Sequence, residues 1–172
     1  ASGTMADGKT VIVNADGTVS VVEETSINQA VGSVTGFTNS ALGYTAATFD
    51  SNSNKVVIAY TDSGNSSYGT AVVGTVSGTA ISFGTPVYSS NASTFNSSTF
   101  DVSSGKVVIA WNNNAGGLHR GKAIVGTVSG TGISFGTIGE FEGGQIASSS
   151  TTFDSSTNRV VVAYYDTTNS NY

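Results

Sequence analysis

The most informative pattern in this sequence is a short apolar run with two hydrophobic sides. In Lys55-Val-Val-Ile-Ala-Tyr60, an extended strand puts Val56, Ile58 and Tyr60 on one face. Val57 and Ala59 fall on the other, because side chains alternate along a strand. A strand with one side in water has one polar face. Apolar residues on both faces predict a sheet packed between two other sheets.

The run sits inside a repeat. Thr48-Phe-Asp-Ser-Asn-Ser-Asn-Lys-Val-Val-Ile-Ala-Tyr60 returns as Thr99-Phe-Asp-Val-Ser-Ser-Gly-Lys-Val-Val-Ile-Ala-Trp111. It returns again as Thr152-Phe-Asp-Ser-Ser-Thr-Asn-Arg-Val-Val-Val-Ala-Tyr164, at spacings of 51 and 53 residues. Ala71-Val-Val-Gly-Thr-Val-Ser-Gly-Thr-Ala-Ile-Ser-Phe-Gly84 is nearly duplicated by Ala123–Gly136.

Four strands per repeat are predicted. Strand one covers Tyr44–Asp50, Ser97–Asp101 and Ser149–Asp154. Strand two covers Lys55–Asp62, Lys106–Asn112 and Arg159–Asp166. Strand three covers about Gly69–Val76 and Gly121–Val128, and strand four Ala80–Tyr88 and Gly132–Phe141. The links are short and rich in turn residues, so neighbours pair antiparallel as a meander. The expected fold is all-β, built of blades like those of a β-propeller.

Two segments lie outside this scheme. Lys9–Glu24 alternates on either side of Asn14-Ala-Asp-Gly17 and predicts a β-hairpin, which is marginal alone and has to dock on something. Residues 1–31 therefore read as an attachment segment, and 32–172 as the repeat region. Gly32–Thr38 reads as strand four of a preceding blade, by analogy with Gly84–Tyr88. The third repeat stops after its second strand, at Tyr172. The expectation is that a longer polypeptide or other chains supply the missing strands, since closed propellers have four to eight blades.

Composition supports strand and turn. Leu occurs only at Leu42 and Leu118, and no stretch carries three turns of helical periodicity. There are 22 Gly, one Pro and no Cys. The absence of Cys removes disulfides, thiolate metal sites and Cys nucleophiles. Six basic against 11 acidic side chains leave a net charge of −5 and no basic patch for nucleic acid. No apolar run is long enough for a membrane helix.

Ala6-Asp-Gly-Lys-Thr-Val-Ile-Val-Asn-Ala-Asp-Gly-Thr-Val-Ser-Val-Val22, followed by repeats such as Tyr68–Gly84, resembles structural proteins of tailed bacteriophages. The likeness is greatest to those of marine cyanobacteria. The resemblance implies a virion component: a tail fibre, a tail-associated protein or a capsid-surface protein. Its implied partners are other virion proteins, further copies of itself and a host-surface glycan or receptor. It implies no cofactor and no catalytic residue. The alternative is a carbohydrate-binding propeller lectin or adhesin.

Candidate chemistry is sparse. Asp50, Asp101 and Asp154 share one repeat position before a Ser/Asn turn. They read as turn carboxylates accepting backbone N–H bonds rather than a metal ring. Asp62–Tyr68 and Asp166–Tyr172 read as loop turns, too poor in carboxylates for calcium. Glu140 and Glu142 read as an exposed edge rather than a catalytic pair. The second-repeat loop is the odd one, with the only Trp (Trp111), the only His (His119) and Arg120. Together they form a candidate ligand-binding group for sugar or protein. The plainer reading puts Trp111 in the core and His119 and Arg120 in solvent.

Overall fold

The computed structural model describes residues 11–21 and 30–169. The chain divides into two compact units, Ala1–Val31 and Gly32–Tyr172. In the first, β1 (Val11–Val13) pairs antiparallel with β2 (Val19–Val21). Asp16 Oδ1 shapes the turn by accepting from the Thr18 amide (2.9 Å) and hydroxyl (2.6 Å).

The second unit is strand and turn, with one short 3-10 turn at Ala115–Gly117 and no α-helix among the described residues. The first repeat holds β3 (Leu42–Asp50), β4 (Lys55–Asp62), β5 (Tyr68–Ser77), β6 (Ala80–Phe83) and β7 (Val87–Ala92). The second holds β8 (Thr94–Asp101), β9 (Lys106–Asn113), β10 (Arg120–Ser129) and β11 (Gly132–Phe135). Next, β12 (Gly139–Asp154) runs on into the third repeat, and β13 (Arg159–Asp166) pairs with its second half. Among the described residues all pairings are antiparallel, and all but two join sequence neighbours, as a meander does; the exceptions are β7 on β5 and β12 on β10.

The predicted fourth strand is broken in two. β6 pairs the far end of β5, and β7 pairs its near end one residue out of register. The break is Gly84-Thr-Pro86, where Pro86 has no N–H to give the ladder. In the second repeat β11 and the start of β12 divide β10 in the same way. The expectation for Gly32–Thr38 is corrected outright: residues 30–41 carry no strand. No third strand precedes them among the described residues, so their backbone has no ladder to join.

Residues 32–37 nevertheless sit where strand four of a repeat sits. A Cβ on Gly32 would run into the Thr79 carbonyl, and one on Gly84 into the Thr131 carbonyl. Thr79 and Thr131 are equivalent turn residues, so both glycines let one repeat's backbone press on the next. Phe37 then packs on Tyr60 and Phe83, with ring centroids 5.1 and 5.3 Å apart.

The core lies between the sheets. Val57, Ala59, Ala71 and Val73 from one face of the first repeat meet Val107, Ile109, Trp111, Ile124 and Ile133 from the second. These are the two apolar faces of strand two, each covered by a neighbour. Polar groups tie the same joint. The Thr61 hydroxyl donates to the Ser93 carbonyl (2.8 Å), and the Ser93 amide donates to the Ser67 carbonyl (3.0 Å). At the next joint the Asn112 amide donates to the Ile146 carbonyl, and the Ile146 amide donates to the His119 carbonyl (2.9 Å).

One joint is packed differently. Phe37 on Tyr60 has its counterpart in Phe141 on Tyr164, at 5.5 Å. Between the first two repeats the equivalent pair is Ser89 and Trp111. The facing glycines show this. Gly69 faces Ser89 as Gly121 faces Phe141. Indole for phenol recovers part of the missing ring, and a cavity of about 10 Å³ remains beside Ser89, Trp111 and Phe135. Ser89 Oγ and Trp111 Nε1 have no protein hydrogen-bond partner there. A cavity of that size admits about one water.

Ser89→Phe alone overpacks this joint and costs about 1–3 kcal/mol. Trp111→Tyr alone enlarges the void and costs about 1–2 kcal/mol. The double variant restores the flanking Phe–Tyr pair, so its loss falls short of the sum by about 1 kcal/mol or more. Urea unfolding of the four proteins measures this, and strictly additive losses would remove the account.

Candidate functional site

The Trp111, His119 and Arg120 group comes apart once strand alternation acts on it. Trp111 lies inside the joint between the first two repeats, 2% exposed. Arg120 stands on β10, where Nη1 reaches Glu140 Oε2 at 3.5 Å. Lys122 Nζ reaches the same oxygen at 2.6 Å. The Lys122 hydrogen bond, helped by the Lys122 and Arg120 charges and opposed by desolvation, holds the Glu140 carboxyl below the usual range.

His119 takes the other direction. It has a left-handed backbone (φ 52°), like its counterpart Ser67 (φ 56°). That turn aims its carbonyl at the Ile146 amide, closing the joint to the third repeat. Its ring Nδ1 lies 3.2 Å from Asn112 Oδ1. Asn112 is fully buried and its Nδ2 already donates to the Ile146 carbonyl. The Asn112 oxygen is therefore the acceptor, and Nδ1 of His119 carries the proton. In the neutral ring Nε2 is left with a free lone pair.

These groups line a shallow pocket of about 240 Å³ with Gln145, Ile146, Ala147 and Thr167. Thr167 is fixed by its amide (2.9 Å) and hydroxyl (3.0 Å), both donating to the Gln145 carbonyl. The pocket offers the Gln145 amide, an imidazole and a hydroxyl over an apolar floor, while the buried Asn112 amide is taken up by Ile146 and His119. Sequence reading found His119 but missed Asn112, Gln145 and Thr167. Asn112 was legible as the residue after Trp111, where a polar side chain inside an apolar strand has to find partners.

Glu140 and Glu142 do not act together. Glu142 accepts from the Gly144 amide (2.7 Å) and the Tyr164 hydroxyl (2.9 Å), which pushes the Tyr164 phenol up. A register shift pairs Glu142 with Gly121 and Glu140 with Lys122, neighbours that face opposite sides of β10.

The repeat-position carboxylates are each used by their own turn. Asp50 accepts from the Asn52 and Ser53 amides and the Ser53 hydroxyl. Asp101 does so with Ser103 and Ser104, and Asp154 with Ser156 and Thr157. Each turn ends on a left-handed residue: Asn54, Gly105 or Asn158. The nearby lysines bond elsewhere, Lys55 to Thr75 and Lys106 to Thr127, both at 2.8 Å. Among the described residues no three His, Asp or Glu side chains gather as a metal site would require.

Searches of protein-family models, curated proteins and solved structures found no match to this chain.

Hydroxyl hydrogen bonds hold Asp101 and Asp154 down to about 2, from an ordinary 3.8. A depressed folded-state value stabilises the fold above the unfolded pKa, and the gain disappears as pH falls through the folded one. The melting temperature is therefore expected to drop as pH is lowered from about 5 to about 2. Asp101→Asn and Asp154→Asn should flatten that slope. A slope unchanged in both variants would contradict the assignment. Separately, ¹⁵N spectra of the His119 ring should show the Nδ1–H tautomer, and Asn112→Ala should release it.

Proposed function

We propose that this chain is a structural and adhesive component of a tailed-phage virion, a tail fibre or capsid-surface appendage, and not an enzyme. One observation carries the reading. The strands and joints recur from repeat to repeat, while the loop ends differ. Thr61 and Asn112 make the same bond to the next repeat. Around them stand Tyr68 at the start of β5 and Arg120 at the start of β10. A module that binds through equivalent pockets needs the same ligands each time. A scaffold needs the same joints each time.

We read the repeats as blades of a β-propeller. In the first two repeats the strands follow in order from the first, β3-β4-β5 and β8-β9-β10, and β12 links the second repeat to the third. β3 lies beside β8, and β8 beside β12. That arrangement suits four-stranded sheets fanned about an axis. Partners on this reading are other virion proteins, further copies of the chain and a host-surface receptor. Immunogold labelling of phage particles with antibody to the chain tests it. Label on tails or capsid surface is expected, and label confined to particle-free protein would sink the reading.

The second reading is a carbohydrate-binding lectin or adhesin, and the Asn112–His119–Gln145–Thr167 pocket favours it. A neutral amide on Gln145, an imidazole lone pair and a hydroxyl suit sugar hydroxyls. Saturation-transfer NMR against a panel of neutral oligosaccharides decides it. Binding abolished by His119→Ala and Gln145→Ala supports the lectin. Signal that survives both variants removes the pocket from consideration.

A further inference from the structure

The two ends of the repeat unit expose the two halves of a joint that is closed inside it. At the inner joint the trailing face of strand two offers Val57 and Ala59, both buried. The leading face of the next repeat offers Val107 and Ile109, also buried, with Phe100 packed alongside.

The third repeat carries the corresponding trailing face on β13, as Val161 and Ala163, with Tyr165 where the earlier repeats have Thr61 and Asn112. Val161 is 49% exposed and Tyr165 43%. The cross-strand register places Ser150 on β12 beside Ala163 on this face. The first repeat carries the leading face, as Phe49, Val56 and Ile58. Phe49 is 53% exposed and Val56 and Ile58 are half-buried. What covers each such face is visible twice within the chain: it is the opposite face of a neighbouring repeat.

We infer that the chain associates with itself head to tail, the trailing face of the third repeat seating on the leading face of the first repeat of a second copy. Val161 and Ala163 then lie on Val56 and Ile58 as Val57 and Ala59 lie on Val107 and Ile109. Chemistry at the seam agrees, since the side chains named on the two faces carry no charge. The strands agree as well. The third repeat supplies strands one and two, and residues 32–37 of the second copy lie where strand four belongs. Only the third-strand place of that composite repeat is left unfilled by the described residues. The contact joins unlike faces, so it is heterologous and yields a ring or a filament rather than a closed pair.

Sedimentation of the purified chain over rising concentration tests this. Species heavier than the 17.3 kDa monomer are expected, a fixed mass for a ring or growing masses for a filament. Val161→Asp and Ile58→Asp should each weaken association at least about tenfold, with the β-sheet circular dichroism of the parent. Mixed together, they should give a dimer and nothing larger, because one intact face of each kind remains. Dimerisation of Ile58→Asp alone would show like faces pairing and overturn the proposal. So would a monomeric parent up to about 1 mM, where even weak contacts register. The parent's mass decides the matter without either variant.

Discussion

Everything in this molecule follows from strand two being apolar on both sides. Water penalises either face of such a strand when it is bare, so a neighbouring repeat on each face is favoured. That one requirement sets the stacking of sheets, the location of the core and the spacing of the turns. It also explains why the buried polar residues fall where they do. Thr61 and Asn112 lie at the ends of these strands, and their hydrogen bonds cross to the next repeat rather than staying within their own. Stability in such a stack is a sum of repeat terms and neighbour terms. The neighbour terms here combine apolar contact with a pair of backbone-directed bonds.

Strands two and three were legible because near-identical segments repeat and their alternation leaves one register. The Asp turns were legible because Asp followed by Ser or Asn offers its carboxylate to the backbone locally. Strand four was only half legible. Its apolar pattern runs through Gly84 and Gly136, and the break there depends on how β5 and β10 share their length between two partners. Residues 32–37 keep the packing role of a fourth strand without its hydrogen bonds. Sequence pattern reports side-chain faces and says nothing of a missing ladder partner.

The candidate site was harder to read because adjacency in sequence misleads on a sheet. Trp111 and Asn112 are neighbours that face opposite joints, and Arg120 leaves His119 for Glu140. Ser89 was hidden for another reason. Counting back from Asp101, Tyr88 aligns with Phe141. The packing instead sets the Ser89 side chain against Gly69, as the Phe141 ring is set against Gly121. A one-residue slip in the bulged fourth strand is invisible until the ladder is seen.

The bonds at Ser93 bear on how the molecule yields to a pull. Its amide and its carbonyl are both held by the loop end of the preceding repeat, just where the chain crosses into β8. Ile146 is held the same way at the next crossing. Tension along the backbone thus reaches a clamp before it reaches the next sheet. Peeling one repeat strips the fastening of its neighbour, so extension proceeds as a few large, cooperative ruptures rather than a smooth unzipping.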